Sequence, residues 1–180
     1  MHEKRFQGGV ARLRTPERLA WLEAERALTL SLLGKDIKSV LDVGTGSGVF
    51  AELFARSGLY SEGVDASPEM LEAARKLVPD VSFREGTAEA LPYPEAGFDM
   101  VFMGMLFHET DDRLSALREA ARVARQRVAI LEWPYQQQEI GPGLHERLSE
   151  PHMRALAQQA GLNLNDVIQL NMLVMYILDK

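Results

Sequence analysis

Three glycines separated by single residues, Gly44, Gly46 and Gly48, stand between a short apolar run and a segment with helical character. Glycine adopts positive φ angles without steric cost and lets a ligand approach the backbone closely. The helix that follows such a loop presents unpaired N–H groups and the positive end of its dipole. The pattern therefore predicts a ligand-binding loop in preference to a turn in which the glycines only reverse the chain.

The spacing of these glycines narrows the choice of ligand. Dinucleotide-binding loops use G-x-G-x-x-G, whereas here the third glycine comes one position early and Val49 stands at the last position of that pattern. No Gly-Lys pair is followed by Ser or Thr, as a P-loop requires. The loop thus disfavours a dinucleotide, and a nicotinamide-dependent oxidoreductase is only a distant alternative.

An acidic residue follows the glycine loop at about the distance expected of a ribose-binding acid. Asp65 ends a second predicted strand, and a carboxylate at that point can accept hydrogen bonds from both ribose hydroxyls. Ser67 and Pro68 directly after it are typical of a helix N-terminus. We expect Ser67 to cap that helix, which leaves Asp65 for a ligand.

His108, in the stretch MLFHET after the fourth predicted strand, is the candidate catalytic base. An imidazole titrates near neutral pH and can take a proton from an acceptor. A rim histidine that only bonds the loop backbone or caps the next helix explains the same position equally well. We expect Glu109 to be an exposed acid and Asp111 to be the N-cap of the next helix. Glu132 and Tyr135 are weaker candidates for contact with an acceptor.

Metal and thiol chemistry are not expected. The chain has no cysteine, which removes disulfides, thiolate zinc sites and thiol nucleophiles. His145 and His152 lack the spacing of a zinc-protease helix, so no metal site is predicted. Among the methionines, Met103 and Met105 stand at a strand end near the candidate site, and the others are expected in the core.

Short strand-like runs that alternate with helical stretches must position these residues. Thr15 and Gly34 bound one leading amphipathic helix. The alternation after it predicts a parallel sheet with helices on both faces, whose strand ends bring the candidate residues to one cleft. Strands are expected over residues 39–43, 63–65, 81–84, 98–103 and 128–133, and helices over residues 50–56, 68–77, 111–124 and 150–160.

The last residues break this alternation. The stretch NDVIQLNMLVMYILDK holds two strand-like runs with no room for a helix between them, which predicts an antiparallel hairpin. The expected fold class is therefore α/β, a three-layer, doubly wound sheet of seven strands that is mostly parallel and ends in that hairpin. The 180 residues suit one domain, with residues 1–34 as a leading helical segment over the cleft and residues 35–180 as the core.

The charge balance disfavours nucleic acid as a partner. The formal net charge is −6 and no cluster of Lys or Arg is present, whereas binding to phosphates needs a basic face. No apolar run approaches the length that spans a bilayer, and the first residues lack the apolar core of a signal peptide. We expect a cytoplasmic protein without a membrane partner, either a monomer or a homodimer.

Taken in order, these motifs resemble the class I S-adenosylmethionine-dependent methyltransferases, in particular their small-molecule branch, which is similar to the enzymes of ubiquinone and menaquinone biosynthesis. DVGTGSG (42–48) resembles the first motif of that family and GVD (63–65) the second. GTAEALP (86–92) and FDMV (98–101) resemble the third and fourth. The resemblance runs from about residue 39 through the terminal hairpin. It implies a Rossmann-like fold, S-adenosylmethionine as the cofactor, and in-line methyl transfer to a small-molecule acceptor.

The resemblance also implies roles for particular residues. Asp42 would help to hold the amino group of the cofactor, and Asp65 would clamp its ribose. Ala66 and Met70 would flank the adenine, while the backbone N–H of Ala88 would donate to an adenine nitrogen. The full set of implied cofactor-binding positions is Asp42, Gly44, Thr45, Gly46, Gly48, Asp65, Ala66, Met70, Thr87, Ala88, Glu89 and Met103.

One position departs from the resembled pattern. Many relatives have Asp where this chain has Thr87, and a hydroxyl accepts a bond from the adenine amino group without charge assistance. Glu89 could compensate. A methyltransferase-like nucleoside-binding module with little or no turnover is therefore the alternative function. Acceptor specificity is expected from residues 6–14, the loop after His108 and residues 133–150.

Overall fold

The computed structural model describes residues 9–180. Its strands are β1 (Ser39–Val43), β2 (Tyr60–Asp65), β3 (Ser82–Glu85), β4 (Phe98–Gly104), β5 (Ala124–Glu132), β6 (Asn163–Gln169) and β7 (Val174–Asp179). They form one seven-stranded sheet in the order β3-β2-β1-β4-β5-β7-β6. The first five strands pair in parallel, and β7 runs antiparallel to both β5 and β6. The predicted α/β class, the mostly parallel sheet and the closing hairpin are therefore confirmed.

Helices connect the strands and cover both faces of the sheet. They are α1 (Pro16–Leu22), α2 (Ala24–Leu32), α3 (Val49–Arg56), α4 (Pro68–Leu77), α5 (Arg113–Val123) and α6 (Glu150–Gln159), with short 3-10 helices at Val10–Arg14 and Leu144–Glu146. None of the helices within residues 9–180 is long and apolar enough to cross a membrane.

Capping side chains set where two of these helices begin. Ser67 caps α4 because its hydroxyl accepts from the backbone N–H of Met70, as predicted. The prediction of Asp111 as the cap of α5 is wrong by one residue. Asp112 is that cap, and its carboxylate accepts from the backbone N–H of Ser115 at 3.0 Å.

Alternation along the central strand β4 explains the three layers. Successive side chains of a strand point to opposite faces of the sheet. Met100 and Phe102 pack in a core with α2 and α3, whereas Val101 and Met103 pack in a second core with α5 and α6. Because both faces are covered, the strand is apolar along most of its length, as expected of a buried parallel strand.

The leading segment is not one helix, as the sequence predicts, but two. Glu23 separates α1 from α2 with a φ of 47°, in the left-handed region that a continuing helix excludes. Its carboxylate accepts from the backbone N–H of Asn171 at 2.7 Å, in the turn between β6 and β7. A hydrogen bond between residues 148 positions apart thus accompanies the break. The periodicity of apolar residues in the leading segment cannot predict such a distant contact.

The strand order reverses direction between β1 and β4, which pair side by side although β2 and β3 intervene in the sequence. In open α/β sheets, ligands bind in the crevice outside the carboxyl ends of strands at such a switch point. The carboxyl end of β1 is where the glycine loop begins, so the fold places that loop at this crevice.

Candidate active site

A cavity of about 550 Å³ opens at the carboxyl ends of β1, β2 and β4. Its volume lies within the range of about 300–1,000 Å³ that is typical of small-molecule sites. The residues that line it are Leu13, Arg18, Gly44, Gly46, Asp65, Ala66, Ser67, Met70, Gly86, Thr87, Ala88, Glu89, Gly104, Met105, Leu106, Glu109, Thr110 and Asp111. The wall therefore combines the glycine loop, the loops after β2 and β3, the loop after β4 and the leading segment.

The glycine loop adopts a conformation that requires glycine. Gly44, Gly46 and Gly48 have φ angles of 69°, 53° and 80°, a region that side chains with a Cβ atom disfavour. A Cβ atom on Gly44 would lie 2.7 Å from Leu106 Cδ1. The backbone N–H groups of Gly44 and Thr45 both donate to the carbonyl of Val64, at 2.8 and 3.0 Å. The loop is thus held against the end of β2, with Gly44 and Gly46 in the cavity wall.

Asp65 joins this loop to the next one. One carboxylate oxygen accepts from the backbone N–H of Gly46 at 2.8 Å, and the other accepts from the backbone N–H of Ser67 at 2.9 Å. Asp65 lines the cavity and its carboxylate also organises the cavity wall, while its expected contact with a ligand stays a prediction. A carboxylate oxygen has more than one acceptor position, so these bonds are compatible with a further donor from a ligand.

Asp42 lies beneath the glycine loop and does not line the cavity. One of its carboxylate oxygens accepts from the Thr45 hydroxyl at 2.6 Å and from the backbone N–H of Ala51 at 3.1 Å. Burial raises the pKa of Asp42 to about 7, and the charge of Asp65 adds to the rise while these two hydrogen bonds oppose it. Asp42 therefore fastens the loop to the first turn of α3, and its expected part in holding the amino group of the cofactor stays a prediction.

The structure brings most of the predicted cofactor-binding residues into one wall. Those in the wall are Gly44, Gly46, Asp65, Ala66, Met70, Thr87, Ala88 and Glu89, whereas Asp42, Thr45, Gly48, Met103 and His108 are not among the residues that line the cavity. A Cβ atom on Gly48 would lie 3.0 Å from the Phe83 ring, so Gly48 allows α3 to pack closely on β3. Met103 is fully buried in the core under α5 and α6, because its side chain points to that face of the sheet.

The leading segment closes one side of the cavity. The 3-10 helix Val10–Arg14 places Leu13 over the loop, 3.1 Å from a Cβ atom built on Gly46. Arg14 donates to the carbonyl of Ser47 at 2.8 and 3.2 Å and pairs with Glu52 at 2.6 Å. The part of the predicted acceptor segment that precedes residue 9 lies outside the described residues.

His108 is held by a buried carboxylate from β5. Its Nδ1 atom lies 2.9 Å from both carboxylate oxygens of Glu132, and its backbone N–H donates to Glu132 at 3.0 Å. Because a carboxylate only accepts, Nδ1 carries the proton and Nε2 faces Glu109 at 3.6 Å. Burial alone disfavours the imidazolium, but the hydrogen bond to Glu132 and the charges of Glu132, Glu109 and Glu146 outweigh it and raise the pKa of His108.

Glu109 is the site residue that sequence reasoning placed wrongly. It is not a solvated acid: its side chain is 23% exposed and it lines the cavity. The loop that carries it turns sharply at Met105, whose φ is 60° although it is not a glycine. Glu132, which was a weak candidate for acceptor contact, is 2% exposed and outside the wall, and Tyr135 is 55% exposed. The juxtaposition of an acid with a histidine in HET was the signal available in the sequence.

The connection after β5 is ordered around one guanidinium. Arg147 is 4% exposed and donates to the carbonyls of Pro134, Gln136, Ile140 and Pro142. The same guanidinium lies 5.2 Å from the centre of the Trp133 ring, which contacts the ring of Trp21 in α1 at 5.4 Å. The guanidinium of Arg18 lies 5.2 Å from the centre of the Trp21 ring. This connection is therefore tied to the leading segment that borders the cavity.

The donor set of the cavity suits a nucleoside with an amino-acid tail. Positive-φ glycines leave room for close backbone approach, Asp65 offers carboxylate oxygens, and Ala66, Met70 and Ala88 provide apolar surface for a base. Among the described residues, no group of three or more His, Asp or Glu side chains is placed to hold a metal ion. The geometry can therefore bind an organic cofactor through the glycine loop and Asp65.

Comparison with known sequences points in the same direction. The model of the methyltransferase domain family matches residues 41–131. YcgJ of Bacillus subtilis (strain 168), an uncharacterized methyltransferase, is 41% identical over 92 residues, which are 48% of this chain and 36% of that protein. The demethylmenaquinone methyltransferase of Thermotoga maritima is 38% identical over 99 residues, which are 53% of this chain and 43% of that protein. The matched region thus spans less than half of each relative.

Comparison with solved structures extends the likeness beyond the matched sequence. A SAM-dependent methyltransferase from Aquifex aeolicus is 25% identical, with a TM-score of 0.84 that covers 94% of this chain and 96% of that one. YcgJ from Bacillus subtilis shares the fold with a TM-score of 0.68 and 21% identity, over 86% of this chain and 97% of that one. Because the family model covers just over half of the 180 residues and includes the glycine loop, Asp65 and β4, the chain belongs to the methyltransferase domain family, within the class I S-adenosylmethionine-dependent methyltransferases.

Proposed function

We propose that this chain transfers a methyl group from S-adenosylmethionine to a small-molecule acceptor. The observation that carries the proposal is that the glycine loop, Asp65 and the Ala88 loop meet in one cavity, beside the leading segment. The family and its cofactor support the choice of chemistry. The negative net charge supports a small molecule over a nucleic acid as the acceptor.

The wall residues are proposed to divide the cofactor between them. The amino-acid tail of the cofactor would lie against the backbone of Gly44 and Gly46, which have no side chain to obstruct it. Asp65 would bind the ribose hydroxyls, while Met70 and Ala88 would enclose the adenine. Asp42, Thr45 and Gly48 would support the loop from below, since their side chains or packing partners lie outside the cavity.

S-Adenosylmethionine would supply an electrophilic methyl group on a sulfonium. The electron pair of the broken carbon–sulfur bond would stay on sulfur, and the acceptor would gain the methyl group and lose a proton. The chain itself would contribute binding, alignment and exclusion of water. Alignment of two reactants can lower a barrier by about 7–11 kcal/mol. We propose that residues 1–34 provide the cover over the cleft and residues 35–180 the core of one domain, and that the chain acts in the cytoplasm as a monomer or homodimer.

Two observations suggest the class of acceptor: the names of some relatives and the residues in the cavity wall. Some relatives are named demethylmenaquinone methyltransferases, and this name points to a quinone-type acceptor. Leu13, Met105 and Leu106 give this chain an apolar surface beside the acids Glu109 and Asp111. A compact aromatic acceptor with an ionisable hydrogen suits that combination.

Two measurements test this function. Calorimetric titration with S-adenosylhomocysteine should show one site, which Asp65→Asn weakens and the exposed control Asp36→Asn leaves intact. Incubation with radiolabelled S-adenosylmethionine and reduced demethylmenaquinone, or a panel of catechols, should give labelled product. Absence of binding in the unmodified protein would exclude the proposal.

The nucleoside-binding module without turnover is the second candidate. Thr87 favours it, because it is an uncharged residue of the cavity wall at the position where an acid would strengthen binding of the adenine amino group. Binding of S-adenosylhomocysteine without formation of any methylated product would support this alternative over the enzyme.

A further inference from the structure

Three ionisable side chains form a line that ends at the cavity. Glu132 is buried at the end of β5 and bonds His108 Nδ1 at 2.9 Å. His108 Nε2 lies 3.6 Å from Glu109 Oε1, and Glu109 lines the cavity whereas His108 does not. The side chains become more exposed in the same order, 2%, 13% and 23%. The group that faces a bound acceptor is therefore the carboxylate of Glu109.

The charges around this line favour an ionised Glu109. The charged groups that act on His108 are Glu132 from β5, Glu109 from its own loop and Glu146 from the second 3-10 helix, and together they raise its pKa. An imidazolium has no free lone pair with which to take a proton. Glu109 also interacts electrostatically with Arg18 in the leading segment. Positive charge on His108 and on Arg18 favours the ionised, basic form of this carboxylate.

We propose that Glu109 is the catalytic base and that His108 and Glu132 are positioning residues. Glu132 holds the imidazole of His108, and the imidazole holds Glu109 in place and favours its ionised form. This inference rests on the proposed methyl transfer. In the reacting complex the O–H or C–H bond of the acceptor breaks as the new bond to the methyl carbon forms, and the proton moves to a carboxylate oxygen of Glu109. From there it passes to water, because Glu109 is partly exposed.

The proposal defines the class of acceptor. A carboxylate base is useful for an acceptor that must lose a proton during transfer, such as a phenolic hydroxyl or an acidic ring carbon. A thiolate needs no such base, because it has lost its proton before it reacts. The site is thus assigned to acidic hydroxyl or carbon acceptors.

The first test measures the ionisation of His108 by NMR, without any turnover. The pKa of His108 should fall in Glu109→Gln, because the variant removes a neighbouring negative charge. It should stay unchanged in the matched control Glu72→Gln, since Glu72 lies on the exposed face of α4 and pairs with Lys76. An unchanged pKa of His108 in Glu109→Gln would overturn the coupling between the two groups.

The second test compares two acceptor probes, catechol and thiophenol, with the full chain and S-adenosylmethionine at neutral pH. Glu109→Gln should lower kcat for catechol, whose hydroxyl is still protonated, by about 10²-fold or more with little change in KM, and Glu109→Asp should recover part of it. Transfer to thiophenol should change little. No transfer to catechol, or transfer that Glu109→Gln leaves unchanged, would overturn the proposal.

Binding of S-adenosylhomocysteine separates this inference from the proposed function. Unmodified protein and Glu109→Gln should bind it with equal affinity, because Glu109 is assigned to the acceptor. If the unmodified protein does not bind, the proposed function fails. If both proteins bind and only the tests on Glu109 fail, the assignment of the base fails alone.

Discussion

The backbone N–H of Gly46 donates a hydrogen bond of 2.8 Å to the carboxylate of Asp65, so the loops that follow β1 and β2 are joined directly across the candidate cofactor site. This bond makes Asp65 both a structural element of the loop and a candidate ligand for a ribose. Loss of the carboxylate is therefore expected to affect the free energy of unfolding as well as the affinity for a nucleoside.

Asp65→Ala should lower the free energy of unfolding by about 1–3 kcal/mol, because the N–H groups of Gly46 and Ser67 lose their acceptor. Chemical denaturation measures this change, and calorimetry with S-adenosylhomocysteine should show weaker binding in the same variant. Asp36→Ala is the control, since Asp36 is 81% exposed and pairs only at the surface with Lys38. Equal stability and affinity in Asp65→Ala and the unmodified protein would contradict the bridging role.

Gly44→Ala tests whether the close approach of Leu106 to the glycine loop requires a glycine at this position. The new Cβ atom would meet Leu106 Cδ1 at 2.7 Å on a backbone with a φ of 69°. Gly58→Ala is a matched control, because its φ is 84° but no atom lies within 4 Å of the added Cβ. Denaturation should show a loss of about 1–2 kcal/mol in the control from backbone strain alone, and a larger loss in Gly44→Ala. Similar losses in both variants would show that the contact with Leu106 is unimportant.

Arg14→Gln should detach the first 3-10 helix from the glycine loop. The variant removes the hydrogen bonds to the carbonyl of Ser47 and the ion pair with Glu52. Hydrogen exchange at the loop amides should become faster, and stability should fall by about 1 kcal/mol. In Arg26→Gln, which loses only an exposed pair with Glu23, exchange at the loop should be unchanged. Unaltered loop exchange in Arg14→Gln would argue against the docking role.

The buried carboxylate of Asp42 predicts a pH dependence of stability. Its pKa is raised in the folded state, from 3.8 to about 7, so the folded protein binds this proton more tightly than the unfolded chain does. The contribution of Asp42 to the free energy of unfolding is fully present below the pKa that this group has in the unfolded chain. As the pH rises through the pKa of the folded protein, this contribution is lost, by on the order of 4 kcal/mol.

The variant Asp42→Asn isolates this contribution, because the amide oxygen can still accept from Thr45 and Ala51. Urea denaturation across the same pH window should show a flatter profile for Asp42→Asn than for the unmodified protein. Parallel profiles for the two proteins would mean that Asp42 titrates normally in the folded state.

Glu132→Gln should destabilise the fold strongly. Glu132 is 2% exposed and accepts from the imidazole of His108 and from the backbone N–H groups of His108 and Trp133. The imidazole of His108 and these two N–H groups must then share a single amide oxygen, and each buried donor left without an acceptor costs about 1–3 kcal/mol. Thermal unfolding of Glu132→Gln measures the cost against Glu150→Gln, whose pair with Arg154 is exposed. A loss no greater than that of the surface variant would contradict the buried pairing.

The sequence predicts the elements whose conformation depends on neighbouring residues in the chain. Apolar runs and glycine spacing identified β1 and the loop after it, since the φ angles of Gly44, Gly46 and Gly48 depend mainly on the absence of a Cβ atom. The cap at Ser67 and the closing hairpin follow from equally local patterns. Eight of the 18 residues that line the cavity are among the predicted cofactor-binding positions, and the resemblance to the methyltransferase family implied that set.

Elements that depend on distant partners could not be predicted. The start of β5 at Ala124 was missed because Arg127 is polar, yet its guanidinium is buried against Asp179 at 2.7 Å, 52 residues away. Glu109 enters the wall through a turn at Met105, and a methionine gives no sign in the sequence of a positive φ angle. Asp42 and Met103 lie on the predicted strands, but which face each presents depends on the packing of the assembled sheet.

Backbone NMR of the full chain during titration with S-adenosylhomocysteine tests the central claim most directly. The account predicts one site and shifts concentrated at the amides of Gly44, Gly46, Ala66 and Ala88, whose residues line the cavity. The amides of Gly58 and Gly161, which lie outside the cavity wall, should not shift. No shifts at saturating ligand, or shifts confined to residues outside the wall, would contradict a cofactor site at the glycine loop.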